Sequence, residues 1–370
     1  MKVLHIISSG GMYGAEAVIL NMSRALNEGP HSSVLGVFAN SSNPNLQLHA
    51  RAVAEGFEAN VIPCRGQIDR SVIASIRALA VRTEADVVHA HGYKADIYAY
   101  PALRGRVPLV STCHTWYDND LAVRVYGMAD RFVLRKYARV VAVSDEVRQR
   151  LLKAGVREER IRLIRNGIDL RPFRDAVPSL RGDLAPGQFM VGLVGRLSQE
   201  KGVDIFLRAV PRVLKEMPGV RFVVVGDGPD REKLEALIDE LQIGGSVSLL
   251  GQRDDMPSVY ASLDVMVSAS RQEGLPIAIL EGMASRRALV ATAVGAVPTV
   301  VDNRTGVLLS AGDEAALAAA IVGLLREPER REQLGTAARR LIEDEFSAER
   351  MTAEYLNVYE EAVAAQGKVR

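Results

Sequence analysis

The chain has 370 residues, 48% of them hydrophobic and 25% charged, with a formal net charge of +1. That length favours two domains over one, and the composition is typical of a globular protein. The charge is divided unevenly: residues 1–170 carry 22 basic and 16 acidic side chains, a net of +6, and the remainder carries 24 and 29, a net of −5. This gives no support to a nucleic-acid partner and points instead to something anionic meeting the first half.

Residues 3–7 form a short apolar run that reads as a strand, too short to be the core of a signal peptide. Residues 8–14 bring Gly10, Gly11 and Gly14, and residues 15–26 have helical spacing. Strand, glycine loop and helix begin a doubly wound sheet. The glycines let backbone approach a ligand closely. The pattern GGMYG is not the G-x-G-x-x-G dinucleotide fingerprint, so a nicotinamide cofactor gains little from it. A tight turn without a ligand stays open here, as does a plain first-turn role for Glu16.

Strand-like runs recur at residues 33–38, 59–62, 87–89, 109–112 and 140–143, with helical patterns between them. The alternation predicts a mainly parallel sheet with helices on both faces, and such sheets bind ligands beyond the carboxyl ends of their strands. His89 and His91 fall there, two apart and so on one face of the strand. His114 follows the next strand, with Thr115 and Trp116 as polar and aromatic lining. A strand-end histidine can also be only a hydrogen-bonded edge of the core, a reading that fits His91 better than His114, and the three lack a zinc motif. Asp118-Asn119-Asp120 has a D-x-D form, but no strand precedes it and it reads as a solvated turn. Cys64 and Cys113 have neither metal nor redox spacing, which fits a reducing cytosol. Residues 121–139 have helical period and carry Arg124, Arg131, Arg135, Lys136 and Arg139; an earlier helix carries Arg70, Arg77 and Arg82. Singly these are solvated charges. Together they suit an anionic acceptor or an anionic lipid surface.

Residues 166–188 break the alternation with Gly167, Pro172, Pro178, Gly182, Pro186 and Gly187, and read as a linker. The alternation then restarts: a strand at 189–194, a helix at 203–217, a strand at 221–225 ending in GDGPD, and further strands at 246–250, 264–267 and 288–291. Two doubly wound domains of similar length are expected, with a cleft between facing strand ends. Arg196 ends the first strand of the second domain and Lys201 lies five residues on. Arginine gives planar bidentate contacts to phosphate and lysine a mobile point charge. In the stretch SASRQEGLPIAILE, residues 270–274 read as a loop and Pro276 as the first position of a helix. A helix start suits a phosphate. Glu273 and Glu281, with seven residues between them, suit sugar and ribose hydroxyls. No run reaches the roughly 18 apolar residues of a membrane span.

These motifs together resemble a family 4 retaining glycosyltransferase of the GT-B fold, over nearly the whole chain. The resemblance rests on GGMYGAE, STCHT, AVSD at 142–145, RNGID at 165–169, GRLSQEKG, VVVGDGP and above all the E-x7-E element EGLPIAILE. GAVPT at 295–299 departs from it, since the family often has a second glycine and a glutamate there. The resemblance implies that Arg196 and Lys201 hold a donor diphosphate, that Glu281 takes the ribose, and that Glu273 with the backbone of Gly274 and Leu275 holds the transferred sugar. It implies that Gly11 faces the phosphates and that His114 contacts the sugar. Gly14, Gly195, Gly226, Ser270 and Pro276 complete the donor side; Glu16, His91, Tyr93 and Thr115 form the acceptor side. No metal and no cofactor are expected. Residues 1–170, with a final helix at about 352–370, form the expected acceptor domain, and residues 171–351 the donor domain. In that last helix Tyr355, Val358, Tyr359 and Ala362 share a face.

The implied activity is transfer, with retention, from a nucleotide diphosphate sugar, a UDP-sugar by preference. The acceptor would be a lipid-linked or other anionic saccharide in cell-surface polysaccharide synthesis. The protein would be cytoplasmic, in peripheral contact with the inner membrane face. A nucleotide-sugar epimerase of the same fold and a non-catalytic sugar-nucleotide binding protein remain open beside it.

Overall fold

The computed structural model describes all residues except 13, 42–44, 67, 115–120, 183, 186, 275 and 368–370, and only the backbone of 121–126 and 367. The chain divides into two compact units: Met1–Gly167 with Ala348–Arg370, and Ile168–Ser347.

The first unit alternates strand and helix: β1 Lys2–Ile7, α1 Gly14–Glu28, β2 Ser32–Asn40, α2 Gln47–Ala54, β3 Glu58–Cys64, α3 Ser71–Arg82, β4 Val87–His91, α4 Tyr93–Leu103, β5 Leu109–Cys113, α5 Leu121–Leu134, β6 Arg139–Ala142, α6 Asp145–Lys153 and β7 Ile161–Leu163. All pairs are parallel, in the order β3-β2-β1-β4-β5-β6-β7. The central strands are buried along their length, as near-continuous apolar runs require when helices cover both faces. Arg139 belongs to β6 and not to the helix that its spacing suggests. Residues 139–142 read RVVA, and β-branched residues at the start of a buried run favour extended backbone.

The second unit repeats the plan: β8 Met190–Val194, α7 Val203–Glu216, β9 Arg221–Val225, α8 Arg231–Glu240, β10 Val247–Leu249, α9 Met256–Ser262, β11 Val265–Ser268, α10 Ile277–Ala284, β12 Ala288–Thr292, β13 Val307–Leu309, α11 Glu314–Arg326 and α12 Pro328–Glu345. Its sheet runs β10-β9-β8-β11-β12-β13, again all parallel. Both sheets therefore reverse their strand order at one point, between β1 and β4 and between β8 and β11. Ligands of open α/β sheets bind at such reversals. The two Rossmann-like parallel sheets are the architecture that the GT-B resemblance implies.

The final helix, α13 Ala348–Gly367, packs in the first unit against α1 and β4 to β6. Its buried face holds Tyr355, Val358, Tyr359 and Ala362, each at most 3% exposed. Full burial of a large side chain stabilises by about 1.5–3 kcal/mol, so Tyr355, Val358 and Tyr359 outweigh the few ion pairs on its rim. Glu361 adds pairs to Arg139 and Arg162 at 2.7 Å each. Within the second unit, Ile168 donates its N–H to Phe346 O and forms a parallel bridge with Ser347, so its two chain ends lie together. No described helix is long and apolar enough to cross a membrane.

Candidate active site

The reversal point of the second sheet gathers the charged residues. Arg196 lies two residues beyond β8 and is exposed. Lys201 ends the short turn Gln199–Lys201 that leads into α7. From the neighbouring strand, β11, the loop 269–276 carries Glu273. The ammonium of Lys201 lies 2.6 and 2.8 Å from the two oxygens of the Glu273 carboxylate. Ser270 donates to Glu273 Oε1 at 2.7 Å, and Thr292 at the end of β12 donates to Ser270 O at 2.6 Å. The Glu273 side chain is only 7% exposed. A carboxylate so enclosed needs charge-assisted partners, and Lys201 with Ser270 supplies them.

Two glycines set the spacing of these loops. Gly202 has φ 61°, and a Cβ there would lie 2.0 Å from Ala269 O, so α7 starts in backbone contact with the end of β11. Gly295 has φ 54°, and a Cβ there would lie 1.8 Å from Glu273 O. Ala296 also donates its N–H to Gly274 O. The GAVPT segment, which departs from the family pattern, thus buttresses the Glu273 loop through backbone alone. On the other flank Arg271 makes a bidentate pair with Asp204 of α7, both distances 2.7 Å. That bond holds the Asp204 carboxyl below its ordinary pKa.

Helix α10 begins at Ile277, with Pro276 as its extended N-cap and not its first turn. Glu281 therefore sits in the second turn. Burial pushes its carboxyl up to about 7, partly offset by a bond from Tyr260, whose hydroxyl donates to Glu281 Oε2 at 2.8 Å. Gly226 follows β9 and packs against Gly195 O.

The reversal point of the first sheet is built from histidines. His5 on β1 pairs in register with His89 on β4. His5 Nδ1 and His91 Nε2 are 3.1 Å apart; His89 bonds Tyr359 OH at 2.8 Å through Nδ1 and Thr112 Oγ1 at 2.7 Å through Nε2. Thr112 in turn lies 2.9 Å from Tyr355 OH. Burial holds all of these rings neutral: His5 falls to about 3, and His89 and His91 fall well below the ordinary value. His5, His89 and His91 bring ring nitrogens within 4.8 Å of one another. Yet both nitrogens of His89 and one each of His5 and His91 are held in hydrogen bonds, so the cluster is a polar core network rather than a ready ligand set. His114 stacks on His91 with centroids 5.9 Å apart, and burial lowers it to about 4. Gly11 and Ser9 close the turn after β1, Ser9 Oγ donating to Gly11 O at 2.9 Å.

Known proteins share this fold. The family described as Glycosyltransferase Family 4 matches residues 12–171, and that described as Glycosyl transferases group 1 matches residues 188–327. The alpha-D-kanosaminyltransferase of Streptomyces kanamyceticus is 31% identical over 74% of this chain and 77% of its own. The chain belongs to glycosyltransferase family 4. The phosphatidyl-myo-inositol mannosyltransferase of Mycolicibacterium smegmatis is 28% identical over 96% of this chain and 92% of its own. Among solved structures, HepE from Anabaena in complex with UDP superposes with a TM-score of 0.84 at 23% identity, covering 97% of this chain and 100% of that one. The same protein has been solved with UDP-glucose.

Within this family 4 chain, the residues singled out in the sequence separate into two sets. Gly195, Arg196, Lys201, Gly226, Ser270, Glu273, Gly274, Pro276 and Glu281 all lie in the second unit, on loops following β8, β9 and β11 or on α10. Gly11, Gly14, Glu16, His91, Tyr93 and His114 lie in the first, on segments following β1, β4 and β5 or at their ends. Glu16 and His91 are buried, and Tyr93 is 39% exposed. Leu275, Thr115 and the Asp118–Asp120 turn lie outside the described residues. Sequence reasoning missed His5, Tyr260 and the Gly295 buttress. For His5 the alternation within a strand was a usable signal; for Tyr260, 21 residues from Glu281, nothing local was.

Proposed function

We propose that this chain transfers a sugar from a nucleotide diphosphate sugar to an acceptor hydroxyl with retention of anomeric configuration. The Lys201–Glu273 pair at the sheet reversal carries the reading, with Glu281 in E-x7-E spacing behind it. In that reading Lys201 and Arg196 stabilise charge as it grows on the leaving diphosphate, which is commonly the largest electrostatic contribution to catalysis. The bond between the anomeric carbon and the diphosphate oxygen breaks as the acceptor oxygen bonds to the same face. The acceptor proton passes to the departing phosphate, so neither a protein nucleophile nor a metal is required. Glu273 and Gly274 hold the sugar, and Glu281 the ribose. UDP is the favoured nucleotide, and the UDP and UDP-glucose complexes of HepE support that preference.

The first unit takes the acceptor, which we infer to be anionic and lipid-linked, with the protein lying peripherally on an anionic membrane face. The first unit keeps a formal net charge of +6 when the final helix is included. On α5, Met128 and Phe132 are 62% and 61% exposed, one turn apart, and Lys136 lies over the Phe132 ring. Apolar side chains beside basic ones suit an interface. The relative named phosphatidyl-myo-inositol mannosyltransferase carries an anionic lipid in its name, which supports the same class. Several basic residues are already paired within the unit, Arg139 and Arg162 with Glu361 among them, so α5 and not the whole basic set would meet the lipid.

A thermal-shift panel of UDP-, GDP- and ADP-sugars tests the donor. A ligand at 100 times its Kd stabilises by about 2.7 kcal/mol, and the expected winner is a UDP-sugar, turned over with an acceptor in EDTA. Loss of turnover in EDTA with rescue by magnesium or manganese would overturn the metal-free reading. Acceptor-independent interconversion of sugars would overturn transfer in favour of epimerisation.

A further inference from the structure

Glu281 is held from behind by a residue that is itself locked in place. Tyr260 is completely buried on α9 and donates to Glu281 Oε2. Its ring packs against Phe173, centroids 6.2 Å apart. Helix α9 is pinned at its end: Ser262 Oγ accepts the N–H groups of Ser179 and Leu180 at 3.0 Å each and donates to Ser258 O at 2.7 Å. Arg181 donates to Ser262 O at 2.8 Å. Helix α10 is seated on its strand, for a Cβ at Gly282 would lie 2.1 Å from Met266 Sδ. The tyrosine and the glutamate are thus two fixed ends of one hydrogen bond.

We propose that Tyr260 is a positioning residue for nucleotide binding, its hydroxyl fixing Oε2 of Glu281 so that the carboxylate meets the ribose diol in one orientation. The proposal rests on the reading that Glu281 takes the ribose. An ionised carboxylate accepts from both diol hydroxyls, whereas a protonated one loses an acceptor site. Burial works against ionisation and the tyrosine hydroxyl works for it. Two arginines approach the C-terminal end of α10, and both are engaged by carbonyl groups. Strand β12 is ALVAT and has no titratable side chain. Helix α12 brings Arg339, which is bonded to Ala284 O and paired with Glu343. Arg287, just past α10, donates to the carbonyls of Ser285, Ala261 and Leu263. Burial is the larger influence on Glu281, and Tyr260 is the hydrogen-bonding partner that works against it.

The test is calorimetric titration of the full chain with UDP, GDP and ADP, and with 2′,3′-dideoxy-UDP, from pH 5.5 to 8.5. Wild type, Tyr260→Phe, Glu281→Gln and the double variant are compared, with circular dichroism melts to confirm folding. Phosphate titration is common to UDP and its dideoxy form, so their affinity ratio isolates the ribose contact. In wild type that ratio falls as pH drops through about 7, where Glu281 gains its proton. Tyr260→Phe weakens UDP binding about tenfold, the worth of one hydrogen bond to a charged group. It also moves the midpoint to higher pH and leaves dideoxy-UDP unchanged. The double variant binds like Glu281→Gln. A Tyr260→Phe ratio and midpoint equal to wild type, with Glu281→Gln still weakened, would overturn the positioning role and leave the ribose reading standing. Wild-type affinity in Glu281→Gln, or no binding of any of the three nucleotides, would overturn the ribose reading and the proposal with it. If Tyr260→Phe melts early, the pH midpoint of its surviving folded fraction decides the matter, because a purely structural role would not move it.

Discussion

The two sheets reverse their strand order in the same way, yet they place opposite chemistry at the reversal. Between β1 and β4 the first unit buries neutral imidazoles, His5 bonding His91 and His89 bonding Tyr359 of α13. Between β8 and β11 the second unit places an ammonium against a carboxylate, with Arg196 on the loop that follows β8. Topology alone therefore says where a ligand sits but not what it is. The first reversal is built to stay uncharged and rigid, and the second to keep charge available at a solvent edge. If the reading of the second unit holds, only that site can balance a diphosphate.

The largest effect should come from removing its cations. Lys201→Ala and Arg196→Ala are each expected to lower transfer by roughly 10²- to 10³-fold, the cost of losing one preorganised electrostatic donor. Ser270 still bonds Glu273 Oε1 in the first variant, so the fold should persist. Near-normal turnover in both variants would erase the functional contrast between the two reversals.

A smaller effect separates the units by pH. His5, His89, His91 and His114 are all held below their ordinary pKa in the folded state, so the unfolded chain binds more protons once pH drops under about 6.5. Their contribution is present above that value and is lost as pH falls toward about 4. Asp96 acts in the opposite sense: burial, reinforced by Asp130, raises its carboxyl and favours the protonated fold. Four rings against one carboxyl leave a net acid-induced loss. Glu281, raised to about 7, gives the second unit a contribution that grows as pH falls. Hydrogen exchange, corrected for intrinsic rates, should show β1 and β4 less protected at pH 5 than at pH 7 while β8 and β11 hold or gain. Equal losses in both units would refute the contrast.

Much of this was legible in the sequence, and the gaps have physical causes. The buried strands announced themselves because parallel strands covered on both faces are continuous apolar runs, as with VVV in β9. Strands β7 and β13 went unread because three residues at a sheet edge, IRL and VLL, carry no period. Lys201, Glu273 and Glu281 could be found by residue type and spacing. That Lys201 and Glu273 grip each other could not, for 72 residues separate them and it takes the β8–β11 pairing to bring their loops together. The histidines of β4 were visible at once, but their neutrality comes from burial, and the bond of His89 to Tyr359 spans 270 residues. The basic character of residues 1–170 was plain from counting, whereas the internal pairing of Arg139 and Arg162 needed the final helix in place.

The smallest effect concerns that basic surface. Lys136→Ala should weaken co-sedimentation with anionic vesicles by about 1 kcal/mol at low salt, the usual worth of one basic side chain at a charged membrane. Binding to neutral vesicles should not change. Equal and negligible binding to both vesicle types by the wild type, with efficient transfer to a soluble uncharged sugar, would remove the lipid from the first unit's side of the comparison.

The return of α13 to the first unit also has a consequence in time. A ribosome releases the chain in order, and the whole of Ile168–Ser347 emerges before the helix that carries Tyr355 and Tyr359. The second unit is, in sequence, an insertion within the first. Its own strands and helices are all available while His89 still lacks the hydroxyl it will bond. The unit begun first is completed after the second, and its core closes only when the helix Ala348–Gly367 arrives.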